Sequence, residues 1–329
     1  MRNPLVRTLV TQALPIVGAY LVVLALIKAG VIDDFIMATV ATICINIVLA
    51  VSLNLITGFT GQFSLGHAGF MAIGAYSTAL VTLAVPTIPG LIGGLLLGGL
   101  LSALMGLLIG IPTLRLRGDY LAIATLGMAE IIRVVLTNLD FANGAAGLAG
   151  IPQFMDWTWL YAITVGSVVL IRNFLRSRQG RDCIAVREDE IAAESIGVDT
   201  TRAKILAFII GAFFGGIAGG MYASSFYFVK PDLFNFLLSI NILVIVVLGG
   251  LGSISGSIIA AILLAILSAL LAPFPALQMI LYALMLVVIM IFRPAGLMGS
   301  RELSLKLFTQ FGRRGSASEA GPARKEDQA

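Results

Sequence analysis

From Phe35 to Leu114 the chain runs for 80 residues without one Asp, Glu, Lys or Arg, and from Leu233 to Phe292 for another 60. A domain surrounded by water cannot cover itself with segments of that length and composition. Across all 329 residues only 12% are charged and 59% hydrophobic, against ~25% charged in an ordinary soluble domain. A bilayer-spanning helix needs ~20 mainly apolar residues, so the fold class expected is an all-α polytopic membrane protein. Breaks at charges, Pro pairs and Gly-rich turns divide the sequence into about ten transmembrane helices: 13–29, 35–56, 67–85, 90–110, 119–137, 157–172, 204–223, 238–250, 253–271 and 277–292. The stretch 238–271 reads equally well as two short helices or one broken element.

Short cytoplasmic loops of membrane proteins collect Lys and Arg. Ten spans with both ends inside (N-in, C-in) put 18 of the 21 basic residues on one face: Arg2 and Arg7, Arg115 and Arg117, the block from Arg172 to Lys204, and the block from Arg293 to Lys325. This asymmetry accounts for the net charge of +4 better than nucleic-acid binding does. The basic start and first apolar run resemble a signal peptide, but no small-x-small cleavage site precedes Val31, so the segment reads as a retained first span. Residues 1–300 form one expected transmembrane domain, with a cytoplasmic loop over about 172–204. Residues 301–329 form a polar tail expected to be disordered in part. Cys44 and Cys183 are too few and too far apart for a disulfide framework or thiolate cluster.

Catalytic chemistry finds little support. His67 is the sole histidine, and no GxSxG, HExxH or Gly-Lys phosphate-loop signature occurs, so no ATPase site, metal site or cofactor is expected here. Three other features stand out. In Leu53–Leu80, five glycines alternate with Asn54, Gln62, Ser64 and His67; small residues let helices approach closely, and irregular backbone at membrane depth survives only inside protein or along a wet cavity. Tight packing and a pathway or gate lining both remain open readings. Glu130 and Arg133, three apart on one helix face, form an expected intramembrane ion pair. At ~16 Å beyond Asp119 it falls near the bilayer centre, where deleting one partner would cost ~3 to 5 kcal/mol. The third feature is the basic loop, in which Arg187 to Gly197 is predicted to form one short helix. Ile191, Ala192, Ser195 and Ile196 lie to one side and Gly197 ends it. That helix is either a connector lying on the membrane or one that docks into a partner's groove. A recurring spacing, Gly58-x-x-Gly61-x-x-Ser64 and Gly249-x-x-Gly252-x-x-Ser255, carries no weight as a repeat in a chain with 36 glycines.

Five segments in order, LNLITGFTGQFSLGHAGFMAIGAY, TLRLRGDYLAIATLGMAEIIRVV, GLAGIP, EDEIAAESIGVDTTRAKILAFIIGAFFGGIAGGMYA and VVLGGLGSISGSIIAA, resemble the permease subunits of branched-chain amino acid ABC importers, of the LivM type. The resemblance covers about residues 50–298. It implies the ABC importer permease fold, a bacterial inner-membrane location and a LivH-like second permease. It also implies LivG-like and LivF-like ATPase subunits and a periplasmic substrate-binding protein. The family's ATPase-coupling loop carries EAA-x-x-x-G. Here Ala192, Ala193 and Gly197 occupy the Ala-Ala and Gly positions, Ile191 stands where Glu belongs, and Glu190 comes one residue early. In this reading the two alanines allow close approach to an ATPase. The rival function is an ion-coupled secondary transporter or channel using Glu130, Arg133 and His67, acting without ATPase subunits.

Overall fold

A computed structural model describes residues 17–30, 32–113, 116, 118–274, 280, 281, 284, 287, 288, 291, 292 and 296–299. The helices are α1 (Val17–Lys28), α2 (Asp34–Asn54), α3 (His67–Ala84), α4 (Ile88–Thr113), α5 (Asp119–Thr137), α6 (Trp157–Arg176), α7 (Arg178–Glu188), α8 (Glu190–Ser195), α9 (Thr200–Phe226), α10 (Phe236–Gly249) and α11 (Ile254–Leu270). Seven described positions between Ile280 and Phe292 are helical. The rest of the predicted tenth span and the tail 301–329 lie outside the described residues.

The chain is a mostly helical polytopic membrane protein, and among the described residues six helices are long and apolar enough to cross a bilayer: α2 with its extension to Phe59, α3, α4, α5, α6 and α9. α10 and α11, at 14 and 17 residues, are only ~21 and ~25 Å long against a hydrocarbon core of ~30 Å. They pack on one another rather than forming one broken rod. A Cβ at Gly249 would lie 2.6 Å from the Gly256 backbone, so the two helices meet almost backbone to backbone beside the turn that joins them.

Hydrophobic burial cannot drive helices together in lipid, so contact must come from shape. α4 presents Gly90, Gly94, Gly98, Ser102, Gly106 and Gly110 at every fourth position, and all six are buried. This seam meets α3 and α9. An added Cβ at Gly74 of α3 would stand 1.9 Å from the Gly216 carbonyl oxygen of α9, and one at Gly219 1.9 Å from that of Met71. The three helices form the centre of the molecule, with α2 packed on α9 and α11 on α2. α6 lies at the edge.

The connections sort to two ends of the bundle. At one end, after α5, two short 3₁₀ turns lead into Leu148–Ala149 (β1), which pairs antiparallel with Phe228–Val229 (β2), Leu148 opposite Val229. At the other end gather the segment Thr60–Phe63, the start of α5, α7, α8 and the start of α9. The 250–253 turn belongs to this second end. So does the segment after the last helical positions, since Leu297 N donates to Leu248 O at 2.8 Å.

Candidate functional site

α2 does not end cleanly. Its last turn widens into a π-helical segment, Leu55–Phe59, a distortion that often marks functional positions in helices. Fully buried Asn54 stands at the junction. Its Nδ2 donates to Ser253 O at 3.0 Å and to Ser257 Oγ at 2.8 Å, while its Oδ1 accepts from Gly252 N at 2.9 Å. One amide therefore ties the break in α2 to the α10–α11 turn. A Cβ on Gly58 would fall 1.7 Å from Asn54 Oδ1 and 2.4 Å from Gly252 N. The two Gly-x-x-Gly-x-x-Ser segments, whose shared spacing carries no weight in the sequence, meet in space.

The non-helical backbone from Thr60 to Gly66 is held by borrowed hydroxyls. Leu65 N donates to Thr125 Oγ1 at 3.0 Å, Gly66 N to Ser64 Oγ at 3.4 Å and Ala68 N to Ser239 Oγ at 3.2 Å. His67 is wholly buried, its Nε2 2.8 Å from Ser52 Oγ. The same Ser52 hydroxyl lies 3.0 Å from Leu49 O. Asn54, Gln62, Ser64 and His67 are all buried within the protein, so in this conformation none of them lines an open channel. Gln62 differs from the others: neither its Oε1 nor its Nε2 has a hydrogen-bond partner among the described residues. It lines a cavity of about 180 Å³ together with Thr60, Gly118, Arg187, Glu190 and Lys204.

The predicted single helix Arg187 to Gly197 is instead two. α7 stops at Glu188 and α8 starts at Glu190, because Asp189 adopts an extended backbone and caps α8, its Oδ1 accepting from Ile191 N at 2.9 Å and Ala192 N at 3.0 Å. Asp competes poorly within a helix and well at its start. Gly197 does end α8: at φ +87° it lets Val198 N reach back to Ala193 O at 3.0 Å, the left-handed terminus that glycine favours. Ala193 is buried against this chain's own helices, whereas Ile191 and Ile196 are 74% and 78% exposed. The outward side of α8 is thus Ile191, Ala192, Ser195 and Ile196, and Ala193 serves internal packing.

Three contacts fasten this arm to the bundle. Lys204 Nζ on α9 bonds Glu190 Oε1 at 2.6 Å. The buried Cys183 thiol donates to Ala203 O at 3.4 Å, and desolvation, only partly offset by a hydrogen bond involving Thr60, pushes its pKa up to about 11. Arg187, also paired with Glu188, donates through Nη1 to Gly58 O at 2.9 Å. The penultimate residue of α7 therefore grips the broken end of α2.

At the opposite end, Arg133 Nε donates to Glu130 Oε2 at 2.7 Å, and Arg133 Nη1 lies 3.4 Å from Asp232 Oδ1, which neighbours Lys230. α5 ends only four residues after Arg133, and Asp232 draws that arginine to the 3₁₀ turn before α10, while Glu130 lies close to the middle of α5. The side chains are 29% and 35% exposed. No hydrogen bond among the described residues joins His67 to Glu130 or Arg133.

The sequence model of the family described as branched-chain amino acid transport system, permease component, matches residues 35–290. The chain belongs to this permease family. It is 38% identical over 298 residues to the high-affinity branched-chain amino acid transport system permease protein LivM of Salmonella typhimurium, and 36% to LivM of Escherichia coli. Each match covers 80% of this chain and 70% of the relative. LivH of Salmonella typhimurium is 24% identical over 287 residues, covering 78% of this chain and 91% of LivH. No solved structure matches. Within this permease, Arg187, Ser52, Gly252 and Lys204 do not stand out in the sequence; the one signal available for Gly252 was the spacing it shares with Gly61.

Proposed function

We infer that this permease is the membrane-spanning subunit of an ATP-driven importer in a bacterial inner membrane. It translocates branched-chain aliphatic amino acids handed over by a periplasmic binding protein. It has ten spans with both termini inside, pairs with a LivH-like permease, and is driven by LivG-like and LivF-like ATPases. Support for that topology comes from the sorting of the connections: the basic arm, the start of α5 and the segment after the last helical positions share one end of the bundle, and the 138–156 and 227–235 connections share the other.

The observation that carries the reading is α8, which projects Ile191 and Ile196 into solvent at the end of an arm otherwise rich in charge. Two large apolar side chains on one short capped helix are what a groove in a cytosolic partner would take. When ATPase subunits close, α8 is displaced, and Arg187 passes the motion to Gly58 and thence, through Asn54, to the α10–α11 turn. A ligand shifts the equilibrium between outward and inward states only by binding them differently, so the buried break at residues 55–66 is the element whose opening would expose the path. The test is co-purification of the ATPase subunits from membranes expressing the whole system. Ile191→Glu with Ile196→Glu should abolish it while the permease stays at wild-type abundance. Retention of the ATPases by that variant overturns the docking role of α8.

A further inference from the structure

α6 has 20 residues, ~30 Å of helix, the thickness of a bilayer's hydrocarbon core. Its first residue, Trp157, packs with Tyr161 and Tyr20, the aromatic grouping typical of a membrane interface. Arg172 and Arg176 occupy its last turn and a half, and so stand at the other interface. There they border a hollow of about 300 Å³ whose remaining walls include Arg187 and the apolar side chains of Phe59, Leu175 and Ile184. No acidic residue lines it. Among the described residues the ion pairs involve Arg133, Arg187, Lys204 and Lys230; Arg172 and Arg176 enter none. Two guanidinium groups without counter-charge, above an apolar floor and at headgroup depth, are arranged for a phosphate that carries hydrocarbon. Guanidinium forks suit phosphate oxygens, and the exposed Val169 and Leu170 of α6 offer surface along which acyl chains can lie.

We propose that this hollow is a binding site for one anionic phospholipid of the inner leaflet, its phosphate held between Arg172 and Arg176 within reach of Arg187. The site rests on the membrane-embedded reading of α6 and not on the identity of the transported substrate. Because Arg187 also donates to Gly58 O, the lipid phosphate competes for the side chain that joins the α7–α8 arm to the broken α2. The lipid therefore tunes how firmly the arm is coupled.

The complete purified transporter, exchanged into nanodiscs of phosphatidylcholine with or without phosphatidylglycerol, tests this by native mass spectrometry. The wild type should retain phosphatidylglycerol over phosphatidylcholine, and Arg172→Gln with Arg176→Gln should lower that preference roughly 30-fold, at a contribution of about fivefold per arginine. Subunit stoichiometry should be unchanged. Equal retention of the two lipids, or an unaltered preference in the double variant, overturns the site. Two further outcomes also do so. If inorganic phosphate stabilises the wild type in pure phosphatidylcholine as much as phosphatidylglycerol does, the ligand is a free anion. If the double variant sheds an ATPase or permease subunit with lipid retention intact, the hollow belongs to a protein interface.

Discussion

Replacing Asn54 by Ala removes all three hydrogen bonds that join α2 to the α10–α11 turn, and their losses are unequal. Ser253 O keeps the bonds it receives from Ser257 N at 3.1 Å and from Ser257 Oγ at 3.1 Å, so it is not orphaned. Gly252 N loses its acceptor in a buried site, and an unsatisfied buried donor costs ~1–3 kcal/mol. The cavity left by the amide adds about 1 kcal/mol. The sum, ~2–4 kcal/mol, corresponds to a fall of roughly 4–8 °C in the unfolding midpoint for a chain this long. Ser257→Ala serves as the comparison: it takes away one Asn54 bond and leaves Gly252 N satisfied, at about 1 kcal/mol. Thermal unfolding of the assembled, detergent-purified transporter reads both variants. Midpoints for Asn54→Ala equal to those of Ser257→Ala, or unchanged from wild type, would refute the idea that Asn54 is the tie between these elements.

Other consequences follow from the same geometry. Gly74→Ala should prevent accumulation of folded permease, since its Cβ would sit 1.9 Å from a backbone oxygen, while Gly93→Ala, with nothing within 4 Å, should accumulate normally on immunoblots of membranes. Cys183 should resist maleimide labelling at pH 8 in the native state and react after denaturation. Because the folded chain holds this proton to about pH 11, against 9.0 without burial, its protonated form favours the fold and stability should decline as pH rises above about 9. Arg187→Ala should leave the ATPases bound yet lower uptake, separating transmission from docking when pull-down and transport are measured on the same membranes. Arg133→Ala should cost only about 1 kcal/mol in thermal unfolding, not the ~3–5 kcal/mol of a fully buried pair, because about a third of each side chain is left uncovered by protein.

The hydrophobic runs told most of the helix positions. α5 begins at Asp119 and ends at Thr137 as its pattern predicts, and α3 differs by one residue at its end. α6, by contrast, runs on to Arg176, four residues past its predicted end, and α9 starts at Thr200, four before its predicted start, because the charges that stop an apolar run do not stop a helix. What the pattern could not convey is where polar side chains find partners 99 to 198 residues away. Asn54 with Gly252, Arg187 with Gly58 and Arg133 with Asp232 are such long-range pairings. The split of the cytoplasmic helix at Asp189 was legible from an Asp followed by Glu and an apolar residue, but apolar periodicity across Arg187–Gly197 masked it. Ala193 shows the reverse: the family motif marks it, and only the fold shows that it faces inward.

Uptake of radiolabelled leucine into proteoliposomes holding the purified permease, its LivH-like partner and both ATPases, with binding protein on the side of Arg133 and ATP on the side of Arg187, tests ATP-driven import most directly. Accumulation should require ATP and binding protein together and should be insensitive to collapse of proton and sodium gradients. Accumulation driven by an ion gradient through this chain alone, without ATPase subunits, would contradict it and assign transport to the ionisable groups Glu130, Arg133 and His67.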